Sequence, residues 1–122
     1  MPIDSTGRWY NAPDTRSDAE LASAARAAGS STSTPFDVQA AEKLVGTLQI
    51  TNANGGTVTA GLDITYDGTN WDDAGAWPAK SANGTHRRGF DVRGATQARW
   101  RWTVATATVT FNVNTVEAAR GR

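Results

Sequence analysis

Apolar and polar residues alternate along most of the chain after Pro35, and a spacing of two predicts β-strands. Two long alternating runs come first, at about residues 43–51 and 57–66. Their apolar positions are Leu44, Gly46, Leu48 and Ile50 in the first run, and Val58, Ala60, Leu62, Ile64 and Tyr66 in the second. Because a turn rich in Asn and Gly joins the runs, the pattern predicts two adjacent antiparallel strands.

Three further strands are predicted at about residues 85–92, 97–105 and 108–116. The middle strand has an apolar face and a basic face. The apolar face carries Ala98, Trp100, Trp102 and Val104, and the other face carries Arg99, Arg101 and Thr103. Residues 71–79 are less regular, and Pro78 favours an edge position because proline has no amide hydrogen for a strand ladder.

The first 34 residues lack this alternation and end in a Gly/Ser/Thr-rich run, 29–34. Within them, Ser17 and Glu20 have the spacing of a capping box, in which each side chain bonds the other residue's amide. A short helix is therefore predicted at about residues 18–28, ended by Gly29. Its apolar stripe is thin, so we expect it to form only against the domain or a neighbouring subunit.

Strands with one apolar face, separated by Gly/Asn/Asp turns and not by helices, build antiparallel sandwiches or small barrels. A length of 122 residues fits a single core. The sequence therefore predicts an all-β antiparallel sandwich, or small barrel, over residues 35–122. Residues 1–34 are predicted to form an extended N-terminal arm that contains the short helix.

Composition removes several classes of function. The chain has no cysteine, which excludes disulfides and thiolate sites. No run reaches the roughly 18 apolar residues of a membrane span, and the first residues lack the features of a signal peptide. We therefore expect a protein that is made in a cytosol and has no membrane partner.

The net charge of zero conceals an uneven distribution of charge. Residues 1–73 contain four basic and ten acidic side chains, whereas residues 74–122 contain eight basic and two acidic ones. In a sandwich the two halves interleave, so these charges can neutralise one another within one molecule. Alternatively, an acidic flank of one copy meets a basic flank of another.

The most distinctive local motif is the turn at residues 67–71, DGTNW. Asp67 can accept amide hydrogens across the turn, Gly68 permits a positive φ, and Asn70 and Trp71 complete the hairpin. The motif resembles the Asp-box turn of sialidase-like propellers, but a single copy excludes a propeller. Nearby carboxylates could also bind calcium, yet their spacing does not match an EF-hand, so a structural turn without metal or other cofactor is predicted.

Tryptophans and arginines are the candidate binding residues. Exposed Trp71 and Trp77 could stack on sugars; alternatively, Trp77 and Trp9 pack against a partner subunit, where aromatic anchors are common. Arg99 and Arg101 share a strand face that could meet a partner. The zero net charge, with the aromatic side chains on the opposite face, argues against nucleic acid as that partner.

Catalytic signatures are absent from the sequence. The single histidine, His86, has no Ser or Cys elbow near it, and no Gly-rich phosphate loop occurs. We therefore predict that the chain is not an enzyme.

The segment from Leu62 to Trp102 resembles small β-sandwich proteins of tailed bacteriophages. The resemblance rests on the turn at residues 67–71 and on residues 92–102, VRGATQARWRW. It implies a capsid decoration, or cement, protein that binds the major capsid protein on the outside of the virion and is assembled in the host cytoplasm. As a decoration protein the chain is further expected to form a homo-oligomer, with a trimer as one arrangement.

In that role residues 1–34 would be the docking arm, with Trp9, Tyr10 and Leu21 as its apolar anchors. Two other functions remain open. One is a carbohydrate-binding module or tail-associated adhesin, in which Trp71 and Trp77 would contact the sugar. The other is a structural subunit of the tail or connector.

Overall fold

The computed structural model describes residues 14–15, 19–39 and 41–119, with the backbone alone for residues 14, 15, 118 and 119. These residues form ten strands in two antiparallel sheets. The strands are β1 (Asp14–Thr15), β2 (Leu21–Arg26), β3 (Gly29–Thr32), β4 (Phe36–Asp37), β5 (Ala41–Asn52), β6 (Thr57–Thr65), β7 (Trp71–Ala76), β8 (Gly84–Asp91), β9 (Gln97–Ala105) and β10 (Val109–Ala119).

The first sheet has the order β1-β10-β5-β8, and β2 also pairs with β10. The second has the order β3-β9-β6-β7, and β4 also pairs with β9. Short strands that share one edge, β1 with β2 and β3 with β4, make each sheet four strands wide. The apolar faces of the two sheets enclose the core, which confirms the predicted all-β sandwich.

The two long strands β5 and β6 are not neighbours, so the prediction that they pair is wrong. β5 lies between β10 and β8, whereas β6 lies between β9 and β7. The turn between them, with positive φ at Asn54 (53°) and Gly55 (78°), carries the chain from one sheet to the other. Alternation cannot distinguish the two arrangements, because both place the apolar residues inward.

The predicted helix at 18–28 is also wrong over the residues that the structure describes, because residues 21–26 form β2. β2 pairs with the free edge of β10, whose backbone supplies the hydrogen bonds that an isolated helix would have made internally. Arg26 fastens this strand: its Nη1 donates to the Phe111 carbonyl at 2.6 Å, and its guanidinium lies over the rings of Phe111 and Trp102.

Part of the predicted N-terminal arm therefore belongs to the sandwich. After β2, the chain crosses to the second sheet, where β3 pairs with β9 in the register Ser30 to Thr103. β4 follows on the same edge of β9, and the chain then returns to the first sheet as β5. Residues 1–13 and 16–18 lie outside the described residues, so a docking arm there stays a prediction.

Four aromatic rings dominate the centre of the core. The ring centroid of Trp77 lies 5.3 Å from that of Phe90 and 5.8 Å from that of Trp100, and the Trp100 ring also packs against Phe36. Gly46 on β5 makes room for the two indoles, since a Cβ there would lie 2.8 Å from Trp100 Cη2 and 2.9 Å from Trp77 Cη2. Each fully buried large apolar side chain contributes roughly 1.5 to 3 kcal/mol to the free energy of unfolding.

Several details of the strands differ from the alternation. β6 ends at Thr65, so Tyr66, predicted to face inward, is 54% exposed, while Thr65 is fully buried. Trp102, on the apolar face of β9, is half-buried at the margin of the core.

β7 is an edge strand, as predicted from Pro78. Across the described ranges, no helix has the length and hydrophobicity needed to cross a membrane.

Candidate binding surface on the second sheet

The outer face of the second sheet carries the arginines that the sequence singles out. Arg99 and Arg101 project from β9 toward Asp63 on the neighbouring strand β6. Arg99 Nε lies 3.4 Å from Asp63 Oδ2, and Arg101 pairs with Asp63 Oδ1. Arg101 continues to Asp73 on β7, at 2.8 Å between Nη2 and Oδ1. The result is a row of ion pairs that joins three strands of one sheet.

A glycine allows Arg101 to lie flat across the sheet. Gly61 stands opposite Arg101 in the register, and a Cβ there would lie 2.7 Å from Arg101 Nη2 and 2.6 Å from the Gly75 carbonyl oxygen. With that space open, Arg101 donates to the carbonyls of Leu62, at 3.0 Å, and Gly75, at 3.4 Å. Any side chain at position 61 would obstruct Arg101 in this arrangement, so the position requires glycine.

The ion pair between Arg101 and Asp73 alters the pKa of both groups. Partial burial alone would lower the pKa of Arg101, but hydrogen bonds to Asp73 and Asp63 outweigh it and raise that pKa. The hydrogen bond from Arg101, followed by one from the Gly75 amide, lowers the pKa of Asp73. Both groups stay charged and compensate each other, so this face is polar without an excess of one charge.

An aromatic ring extends the surface beyond the ion pairs. The Arg99 guanidinium lies 4.1 Å from the centroid of the Trp71 ring, at the start of β7. This cation–π contact fixes a half-buried indole beside the charged row.

The turn before Trp71 is organised by Asp67. Its carboxylate accepts the backbone amides of Thr69 and Asn70, both at 2.8 Å, and the Asn70 side-chain amide at 2.7 Å. The buried Thr65 hydroxyl also donates to Asp67 and accepts from the Gly68 amide. Gly68 has φ of 82°, a conformation that favours glycine. The amide of Asn70, then that of Thr69, holds the pKa of Asp67 well below its usual range.

A shallow groove of about 350 Å³ crosses the same face next to β3. It is lined by Ser30, Ser31, Thr32, Asp63, Arg101, Trp102 and Thr103. Ser30 and Thr103 share a hydrogen bond of 2.8 Å between their hydroxyls. Hydroxyls beside a carboxylate and a guanidinium can exchange hydrogen bonds with a polyhydroxyl ligand. The described residues contain no group of three or more His, Asp or Glu placed to hold a metal ion.

The other predicted contact residues have different positions. Leu21 and Trp77 are 8% and 3% exposed, so these two side chains belong to the core and do not face a partner. Trp9 and Tyr10 lie outside the described residues. Of the predicted partner-binding set, the structure brings Arg99 and Arg101 together.

Sequence reasoning missed the partners of these arginines. Asp63 falls on the polar face of its alternating strand, which is a usable signal, but its role depends on β6 lying next to β9. The hydroxyl side of the groove was missed because Ser30, Ser31 and Thr32 were placed in the predicted arm. Only the pairing of β3 with β9 places them on this surface.

No protein-family model matches the chain, and no curated protein matches it. Among solved structures, the SPBc2 prophage-derived protein YomS superposes with a TM-score of 0.53 at 14% identity, over 89% of this chain and 98% of that chain. The two chains share a fold. The K1 cleaved adhesin domain of Lys-gingipain from Porphyromonas gingivalis gives a TM-score of 0.45 at 12% identity, over 75% of this chain and 63% of that chain.

Proposed function

We propose that the chain is a structural virion protein of a tailed phage, and specifically a capsid decoration protein. The observation that carries the proposal is the similarity of fold to a prophage-derived protein along 98% of that protein's chain. The resemblance of residues 67–71 and 92–102 to phage β-sandwich proteins supports the same role.

The surface chemistry also favours a binding role over catalysis. The charged groups on the outer face of the second sheet are used in pairing one another, as in the Asp63, Arg101 and Asp73 row. A group committed to an ion pair is poorly suited to proton transfer at neutral pH. We therefore propose a protein that binds and stabilises without being an enzyme.

In this proposal the protein is made in the host cytoplasm and binds the major capsid protein on the capsid exterior. Residues 1–13, with Trp9 and Tyr10, would form the docking arm. Leu21, buried on β2, would instead hold the first sheet together.

The test is cosedimentation of the full chain with empty capsids of the tailed phage that encodes it, followed by cryo-electron microscopy of the pellet. Stoichiometric density over the joints between capsid subunits is the expected result. A protein that stays in the supernatant would contradict capsid decoration, and density in purified tails or connectors would establish a tail or connector subunit.

A second candidate function is glycan binding, as in a carbohydrate-binding module or tail-associated adhesin. It is favoured by the groove, where hydroxyls lie beside Asp63 and Arg101, and by the Trp71 ring, which contacts Arg99. Trp77 takes no part, since it is buried. A glycan array compares the wild type with Thr103→Arg, which obstructs the groove, and with Thr85→Arg on the other sheet. Binding lost in the first variant and retained in the second would establish this function, and absence of binding by the wild type would exclude it for the glycans arrayed.

A further inference from the structure

Two edge strands meet on one side of the sandwich. β7 ends the second sheet and β8 ends the first, and the two strands approach each other. We refer to the side formed by their outward edges as the β7/β8 side. Neither outward edge pairs with another strand among the described residues. Open edges of this kind offer backbone hydrogen bonds to a second chain.

The two edges carry opposite charges. β7 contributes Asp72 and Asp73, both exposed, and β8 contributes Arg87 and Arg88, also exposed. Asp73 is already bonded to Arg101, whereas Asp72 and Arg87 form no ion pair with any residue in the described part of the chain. An acidic edge and a basic edge therefore lie side by side.

The charges lie at similar heights along the strands. The Arg88 guanidinium lies over the Phe90 ring and reaches toward β7, where a Cβ on Gly75 would be 3.2 Å from Arg88 Nη2. Asp73 is close enough for the charge of Arg88 to help lower its pKa. Asp72 is the next residue along β7.

This arrangement is self-complementary under one kind of symmetry. A two-fold axis that runs parallel to the strands at the β7/β8 side places β7 of one copy opposite β8 of the other, at the same position along the strands. It places the acidic edge of one copy opposite the basic edge of the other, and it does so twice. A two-fold axis perpendicular to the strands would instead oppose acid to acid and base to base.

We propose that the chain forms a two-fold dimer through the β7/β8 side, with Asp72 of one copy facing Arg88 of the other. The partner is a second copy of this chain. This proposal does not depend on capsid binding, and its test uses the free protein.

The test begins with the full-length wild type in sedimentation equilibrium. We expect a dimer whose dissociation constant rises about tenfold between about 50 mM and about 500 mM NaCl, because salt screens exposed ion pairs. A monomer at both salt concentrations, or a trimer, would overturn the proposal.

Charge reversal then tests the facing residues. Asp72→Arg alone and Arg88→Glu alone each oppose like charges at both contacts, so each variant should be monomeric. Mixed in equal amounts, the two variants oppose unlike charges at both contacts and should form a heterodimer. Failure of the mixture to associate, while each variant remains folded by circular dichroism, would overturn the pairing.

Two further variants serve as controls, one for effects on folding and one for effects of net charge. Arg88→Gln keeps a long side chain over Phe90 and removes the charge, so it should weaken the dimer while the melting temperature falls by no more than a few degrees. Glu20→Arg reverses a charge beside β2, at the opposite edge of the first sheet, and should leave the dimer unchanged. Dissociation caused by Glu20→Arg would show that net charge, and not the β7/β8 side, controls association.

Discussion

The indole nitrogens of two neighbouring core tryptophans have opposite environments. Trp100 Nε1 donates to the Ala19 carbonyl at 2.6 Å, whereas Trp77 Nε1 is buried without a hydrogen-bond partner among the described residues. Replacing either residue with phenylalanine removes similar volume. Trp100→Phe also loses a buried hydrogen bond, so we expect it to lower the free energy of unfolding by about 1 to 2 kcal/mol more than Trp77→Phe. Urea unfolding of both variants measures the difference, and equal losses would contradict it.

Asp67 makes the turn at residues 67–71 sensitive to acid. Its folded pKa is lowered, so its contribution to stability is complete above the ordinary carboxyl value of about 3.9 and is lost as pH falls through the lower folded pKa. Asp67→Asn keeps the shape of the acceptor but not its charge. We expect the wild type to melt at a higher temperature than Asp67→Asn at neutral pH, with the gap closing in acid. A gap that does not change between about pH 7 and about pH 2 would show that the charge is not responsible.

Among the elements, β5 packs against the core tryptophans because it has a glycine, Gly46, at the point of contact. A Cβ on Gly46 would overlap the ring edges of Trp100 and Trp77, so Gly46→Ala should lower the free energy of unfolding by about 1 to 3 kcal/mol. Gly84→Ala on β8 is the matched control, because its Cβ would meet His86 Nε2 at an ordinary 3.4 Å. Thermal unfolding compares the two, and equal sensitivity would contradict the packing argument.

The elements also show where prediction from sequence succeeds. β5 and β9 were predicted within about two residues because each has one buried and one solvent-facing side, the condition that alternation reports. β2 escaped prediction because its residues are mostly exposed and rich in alanine, so composition favoured a helix. Arg99 and Arg101 were placed on a shared face by the same alternation. Their partner Asp63 was missed because strand order depends on long-range pairing, which no local pattern encodes.

For the molecule as a whole, the structure limits which residues can belong to a docking arm. Residues 21–26 and 29–32 are strands of the sandwich, so a deletion that removes them should unfold the domain. Deleting residues 2–12 leaves every described strand intact and removes Trp9 and Tyr10. If the arm binds capsids, this shorter protein should keep its melting temperature within a few degrees and lose cosedimentation. Retained binding to capsids would locate the docking surface on the sandwich.

One segment contributes β2 to one sheet and β3 and β4 to the other, and this arrangement affects when the chain can fold during its synthesis. These strands close the two sheets along one side, yet their partners, β9 and β10, are the last strands to be made. The nascent chain therefore cannot complete either sheet until β9 and β10 have left the ribosome. Folding of the sandwich must wait for these strands, and it is slow because it relies on contacts between distant parts of the chain.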